Sequence, residues 1–175
     1  TKPAEMIREA VAAGVTIIGE SYVQEARDKY AILQDLPVSW HFIGHLQTNK
    51  VKYVIRICDL IHSVDSFKLA AEINRQAEKA GKIQQILVQV NIAEETTKSG
   101  ITTEGVVDLI KGIAGLEHVR MQGLMTIPPF FDDPEKARPF FKTLRLLRDE
   151  IRQLGVPGVE LDDLSRMGSA VKLKL

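Results

Sequence analysis

The chain has 175 residues, 45% hydrophobic and 26% charged, enough apolar material for one domain with a sizeable core. Its 23 Lys plus Arg balance 23 Asp plus Glu, and a formal net charge of zero argues against a nucleic-acid-binding module. The single cysteine, Cys58, excludes an intrachain disulfide, Cys/His metal spacing is lacking, and no apolar run reaches the roughly 18–20 residues of a membrane span. A reducing cytosol is the expected compartment.

Residues 3–13 read as a helix, with Met6, Ala10 and Val11 at helical spacing and Gly14 as its stop. The chain opens at Thr1-Lys2-Pro3 without an initiator Met, so further sequence is expected upstream. Residues 15–20 form a short β-branched strand. Ser21, with Gln24 three residues on, has the pattern of a capping box, opening a helix that turns Val23, Ala26, Tyr30 and Leu33 to one side. Residues 40–44 are the second strand, followed by a helix over 48–58. The third strand covers 60–66, and an amphipathic helix over 67–80 is closed by Gly81. Residues 85–92 are the most apolar strand, separated by a polar loop from a helix over 103–114. The fifth strand, 119–127, ends at Pro128-Pro129; the longest helix covers 134–154, and 159–164 is the sixth strand.

Strands alternating with helices at intervals of roughly 20–35 residues imply parallel strands joined by right-handed crossovers. A doubly wound sheet and a (β/α)8 barrel both satisfy that pattern. Six strands, behind a helix that needs its own strand upstream, favour a barrel clipped at both ends. No Gly-x-Gly-x-x-Gly or Walker-type loop supports nucleotide binding.

In either architecture a ligand lies at the carboxyl ends of the strands. The residues there are Glu20-Ser21-Tyr22, the group His45, Gln47, Asn49 and Lys50, Asp65-Ser66, Asn91 with Lys98-Ser99-Gly100, Met125-Thr126, and the segment from Ser165 to Ser169. The set is rich in amides, hydroxyls and lysines and poor in paired carboxylates, which weighs against glycoside hydrolysis and a hard-cation site. Each candidate has a plainer reading. Ser21 reads first as a helix cap. His41 alternates with Trp40 and Phe42 and fits an interior histidine equally well. His62 and His118 read as structural, Asn49-Lys50 as the polar start of a helix, and Lys98 as a solvated loop lysine. Gly168 between Ser165 and Ser169 has the make-up of an anion nest. The residues alone reach a small anionic ligand in an α/β domain.

Four blocks carry a resemblance: Gly19-Glu20-Ser21-Tyr22-Val23-Gln24-Glu25, Trp40-His41-Phe42-Ile43-Gly44-His45-Leu46-Gln47-Thr48-Asn49-Lys50, Lys98-Ser99-Gly100, and Gly123-Leu124-Met125-Thr126-Ile127-Pro128. Together they resemble the pyridoxal phosphate homeostasis protein family, single-domain relatives of the alanine racemase N-terminal barrel. The resemblance implies an α/β fold, a (β/α)8 TIM barrel of the alanine-racemase type, as one domain over residues 1–175 lacking its first and last strands. It implies pyridoxal 5'-phosphate (PLP) held as a Schiff base on a lysine immediately before Thr1; Lys2 matches the second lysine of that segment. Ser21, Tyr22, His41 and Asn49 are then candidates to orient the ring, Met125 is a cofactor contact, and Lys98 is a second amine near the site. Ser165, Gly168 and Ser169 are candidates for the phosphate. The family pattern Leu-Ser-Met-Gly-Met-Ser-x-Asp stands here as Leu164-Ser165-Arg166-Met167-Gly168-Ser169-Ala170-Val171, with the serine spacing kept and the Met-Gly order and Asp lost. The later Arg-Ile-Gly-Thr segment is absent. The implied function is a cytoplasmic carrier that buffers PLP without turnover, with apo PLP-dependent enzymes as partners, as a monomer or weak homodimer. The alternative is a PLP-dependent amino-acid racemase, which needs a second, opposed base.

Overall fold

Pro3 can precede the first helix because its missing N–H is not needed there, and α1 (Ala4–Ala12) stops before Gly14, whose φ of +101° favours glycine. The computed structural model describes residues 2–95 and 99–166. After α1 come β1 (Ile17–Glu20), α2 (Val23–Leu33), β2 (Ser39–Phe42), a 3₁₀ turn (Thr48–Lys50), α3 (Val51–Val54) and β3 (Leu60–Val64). The chain continues through α4 (Phe67–Lys79), β4 (Gln84–Gln89), α5 (Val106–Ala114), β5 (Val119–Thr126), a second 3₁₀ turn (Pro134–Ala137), α6 (Arg138–Gln153) and β6 (Val159–Arg166).

Three helices are shorter than their sequence pattern suggests, each for a local reason. The expected helix over 48–58 is a 3₁₀ turn and the single turn of α3; buried, β-branched Val51, Val54 and Ile55 anchor it to the core but propagate a helix poorly. The Thr102 hydroxyl accepts a hydrogen bond from the Gly105 amide at 3.2 Å, so a turn precedes α5. Pro139 lacks an amide to donate, so it fits only the first turn of α6, and the preceding residues form a separate 3₁₀ turn.

All six strands are parallel and lie side by side in the order β1-β2-β3-β4-β5-β6. That order decides between the two closures. A doubly wound sheet reverses direction part-way, whereas a barrel adds every strand on the same side of the last. Among the described residues the sheet is an open run of six. At one point two strands approach too closely for any side chain: a Cβ on Gly123 would lie 1.8 Å from the Asp163 carbonyl oxygen, where the β5–β6 register shifts.

The main core fills the space between sheet and helices. Trp40, Phe42, Ile61, Ile86 and Leu124 from the strands meet Leu33, Ile73, Ile110 and Leu144 from the helices, all buried. Tyr30 of α2 packs edge-on against Trp40, with ring centroids 5.6 Å apart. A second, smaller cluster of Leu60, Leu87 and Met125, with Ile127 beside it, comes from strands alone. It lies on the sheet's other face, which in a barrel is the interior.

Candidate functional site

Side chains alternate between faces along a strand, and register partners in a parallel pair share a face. Leu60 and His62 therefore point inward from β3, and His41 joins them because it pairs with Leu60. On β4 and β5 the inward set is Leu87, Gln89 and Met125, and Met125 is level with both Gln89 and Ser165. The apolar residues form a floor, and the polar ones stand above it at the carboxyl ends.

The polar residues are wired together across the curved sheet. His62 Nε2 lies 2.9 Å from His41 Nδ1, and His62 Nδ1 lies 2.8 Å from the Ser165 hydroxyl, which joins β2, β3 and β6. His62 is only 8% exposed, and burial, reinforced by the neighbouring His41, pushes its pKa down from 6.5 to about 4. Burial also lowers His41, against a weaker upward pull from Asp59 and Asp163. Both rings are thus neutral near pH 7. Next to them, the buried Gln89 amide donates to the Ser99 carbonyl at 2.9 Å, and Ser99 Oγ is 3.2 Å from His45 Nδ1. Gly100 at φ +129° makes that loop possible, since a Cβ there would sit 2.8 Å from the Asn91 nitrogen.

The rim on the β1 side is fixed by charge. Lys29 of α2 reaches back to Glu20 at 2.5 Å and to Glu25 at 3.1 Å. Burial pulls the Lys29 pKa down, but the hydrogen bonds to Glu20 and Glu25 outweigh it and hold the ammonium above its ordinary range. That amine is a cation clamp and a poor nucleophile. The β1 and β2 loops then touch backbone to backbone: a Cβ on Gly44 would lie 2.0 Å from the Ser21 carbonyl oxygen.

The structure sorts the sequence candidates into groups. His41, Met125 and Ser165 share the inner face, and Met125 is wholly buried. Ser21 and Tyr22 line a hollow of about 330 Å³ beside the loops after β1 and β2, with Arg27, His45, Lys50 and Tyr53, and Asn49 is exposed in the adjoining 3₁₀ turn. Lys98, Gly168 and Ser169 lie outside the described residues. The capping box is not formed: Tyr22, in extended conformation, is the N-cap of α2 and makes no side-chain cap, so the helix starts one residue later than Ser21 would set it. Two inner-face residues escaped the sequence reading. Gln89 had a legible signal, a polar residue in the most apolar strand; His62, read as structural, stands at the centre of the polar chain.

The donor set, two neutral imidazoles and a hydroxyl beside the buried side chains of Leu60, Leu87 and Met125, is chemically suited to a planar heteroaromatic ligand bearing a phosphate. Among the described residues no group of three His, Cys, Asp or Glu side chains could hold a metal ion. No helix among them is long and apolar enough to cross a membrane.

The sequence profile described as "Alanine racemase, N-terminal domain" matches residues 2–166. A pyridoxal phosphate homeostasis protein of Aquifex aeolicus is 46% identical over 153 residues, which are 87% of this chain and 67% of that protein. The chain belongs to the pyridoxal phosphate homeostasis protein family. Among solved structures, PipY of Synechococcus elongatus with PLP bound superposes with a TM-score of 0.84 at 34% identity, over 94% of this chain and 76% of PipY. An alanine racemase of Clostridium difficile superposes with a TM-score of 0.78 at 16% identity, over 95% of this chain and 42% of the racemase, which shows a shared fold. The sheet is thus of the TIM-barrel type found in alanine racemases, as the strand order indicates.

Proposed function

We propose that this protein binds PLP at the carboxyl-terminal mouth of its sheet and serves as a cytoplasmic carrier that buffers the cofactor without catalytic turnover. The observation that supports it most is the inner face itself: an apolar floor topped by His41, His62 and Ser165, in a chain whose family includes PipY with PLP bound. The ring would lie beside His41, and the buried layer of Leu60, Leu87 and Met125 would keep water from beneath it. Ser165 would donate to the phosphate, with Gly168 and Ser169 as further phosphate contacts and Ser21, Tyr22 and Asn49 on the rim. When bound, the cofactor supplies an aldehyde carbon that condenses with a primary amine. The residue immediately before Thr1 is the proposed partner, and Lys98 a second amine that passes the cofactor on to apo PLP-dependent enzymes. The single domain is proposed to act as a monomer or weak homodimer.

Adding PLP to the natural protein is expected to give a stable yellow adduct; after borohydride, one lysine peptide should gain the cofactor's mass. Incubation of the loaded protein with L-alanine and D-amino-acid oxidase is expected to give no sustained oxidation. A colourless protein without added mass would refute binding, and steady D-alanine production would refute the carrier role in favour of a racemase.

A further inference from the structure

His62 has no role assigned by the family resemblance, yet among the described residues it is the side chain that touches both His41 and Ser165. Its two ring nitrogens are both used, one on His41 and one on Ser165. A neutral imidazole has one N–H and one bare nitrogen, so the three groups must share their protons in one of two orders. In the first order Ser165 donates to His62 Nδ1, His62 Nε2–H donates to His41 Nδ1, and the His41 Nε2–H points outward. In the second, His41 Nδ1–H donates to His62 Nε2 and His62 Nδ1–H donates to the Ser165 oxygen. The Ser165 hydrogen is then free to point outward, and His41 Nε2 becomes an acceptor. Passing from first to second takes one proton up at Ser165 from solvent and gives one proton out at His41 Nε2, so no ring becomes charged.

We propose that His62 is the positioning residue of the phosphate side of the site, holding Ser165 and His41 in a two-state proton chain in which a bound phosphate selects the order that turns the Ser165 hydroxyl outward as a donor. The physical basis is simple. A phosphate oxygen can only accept, so it favours the order in which Ser165 offers its hydrogen, and a hydrogen bond to an ionised acceptor outweighs a neutral one. Burial makes both rings less basic than a free imidazole, and of the two only His41 also feels the carboxylates of Asp59 and Asp163. The consequence reaches across the sheet: phosphate at β6 changes which atom His41 presents on β2. The ligand in this inference rests on the PLP reading above; the proton chain is a property of the protein by itself.

Two measurements test it. In ¹⁵N spectra of the histidine side chains, Ser165→Ala in the cofactor-free protein should change the tautomer ratio of His62 and, through it, of His41. Saturating PLP should drive both rings of the parent protein toward the Nδ1–H form. In calorimetric titrations, His62→Phe should weaken PLP at least about tenfold more than it weakens pyridoxal, which lacks the phosphate, the worth of one hydrogen bond to a charged acceptor. Equal losses for both ligands, or no loss for either, would reduce His62 to a packing residue and overturn the proposal. If PLP fails to bind the parent protein, the carrier reading falls, and the Ser165→Ala tautomer shift decides the proton chain by itself: its absence overturns that too.

Discussion

The Glu20–Lys29 clamp holds the β1 rim, and its removal has a magnitude that the structure sets. The two side chains are 7% and 12% exposed, and Glu25, the second partner of Lys29, is 32% exposed. Lys29→Met would leave the Glu20 carboxylate buried beside a thioether, with only a partly exposed neighbour of like charge. Removing one partner of a buried ion pair costs about 3–5 kcal/mol, and water reaching Glu25 places this case near 3 kcal/mol. At the usual urea dependence for a domain, that is a fall of about 1–2 M in the unfolding midpoint. A companion variant, Glu20→Gln with Lys29→Met, removes the stranded charge and should return to within about 1 kcal/mol of the parent. Urea titrations followed by circular dichroism measure both. A Lys29→Met loss below about 1 kcal/mol, the range of exposed pairs, would refute the clamp, as would a double variant no more stable than the single one.

Further predictions follow from the same geometry. Stability should fall by up to about 3 kcal/mol as pH drops from 6.5 toward 4, because the unfolded chain takes up a proton on His62 in that window while the folded chain refuses it; His62→Phe should flatten that part of the pH profile. Gly44→Ala sets a methyl 2.0 Å from the Ser21 carbonyl and must part the two loops, so a loss of about 1–3 kcal/mol is expected in thermal melts. Cys58 is 1% exposed, and burial pushes its thiol up to about 12, so it should react with a thiol reagent only as fast as the protein unfolds.

Much of the fold was legible because local chemistry and global order agree. Gly14 and Gly81 stop helices where the sequence places them, and Leu69, Ala70, Ile73 and Ala77 are buried at helical spacing. Alternation of strand and helix required a parallel sheet; only the strand order excluded the doubly wound form. The site was less legible. All five residues of β3 are buried, so the period-two signal that would separate His62 from Ile61 and Ser63 is erased. Its partner Ser165 lies 103 residues away and is brought close only by the curvature of the sheet. The capping box at Ser21 and Gln24 had the right residues and the wrong register. The N-cap is Tyr22, one residue later, where the side chain offers no cap.

The most direct measurement is a crystal structure of the natural protein grown with PLP. Difference density for the ring is expected on the inner face beside His41, with the phosphate within hydrogen-bond distance of Ser165 Oγ. Density confined to the hollow beside Arg27 and Lys50, or an inner face without any, would contradict this placement.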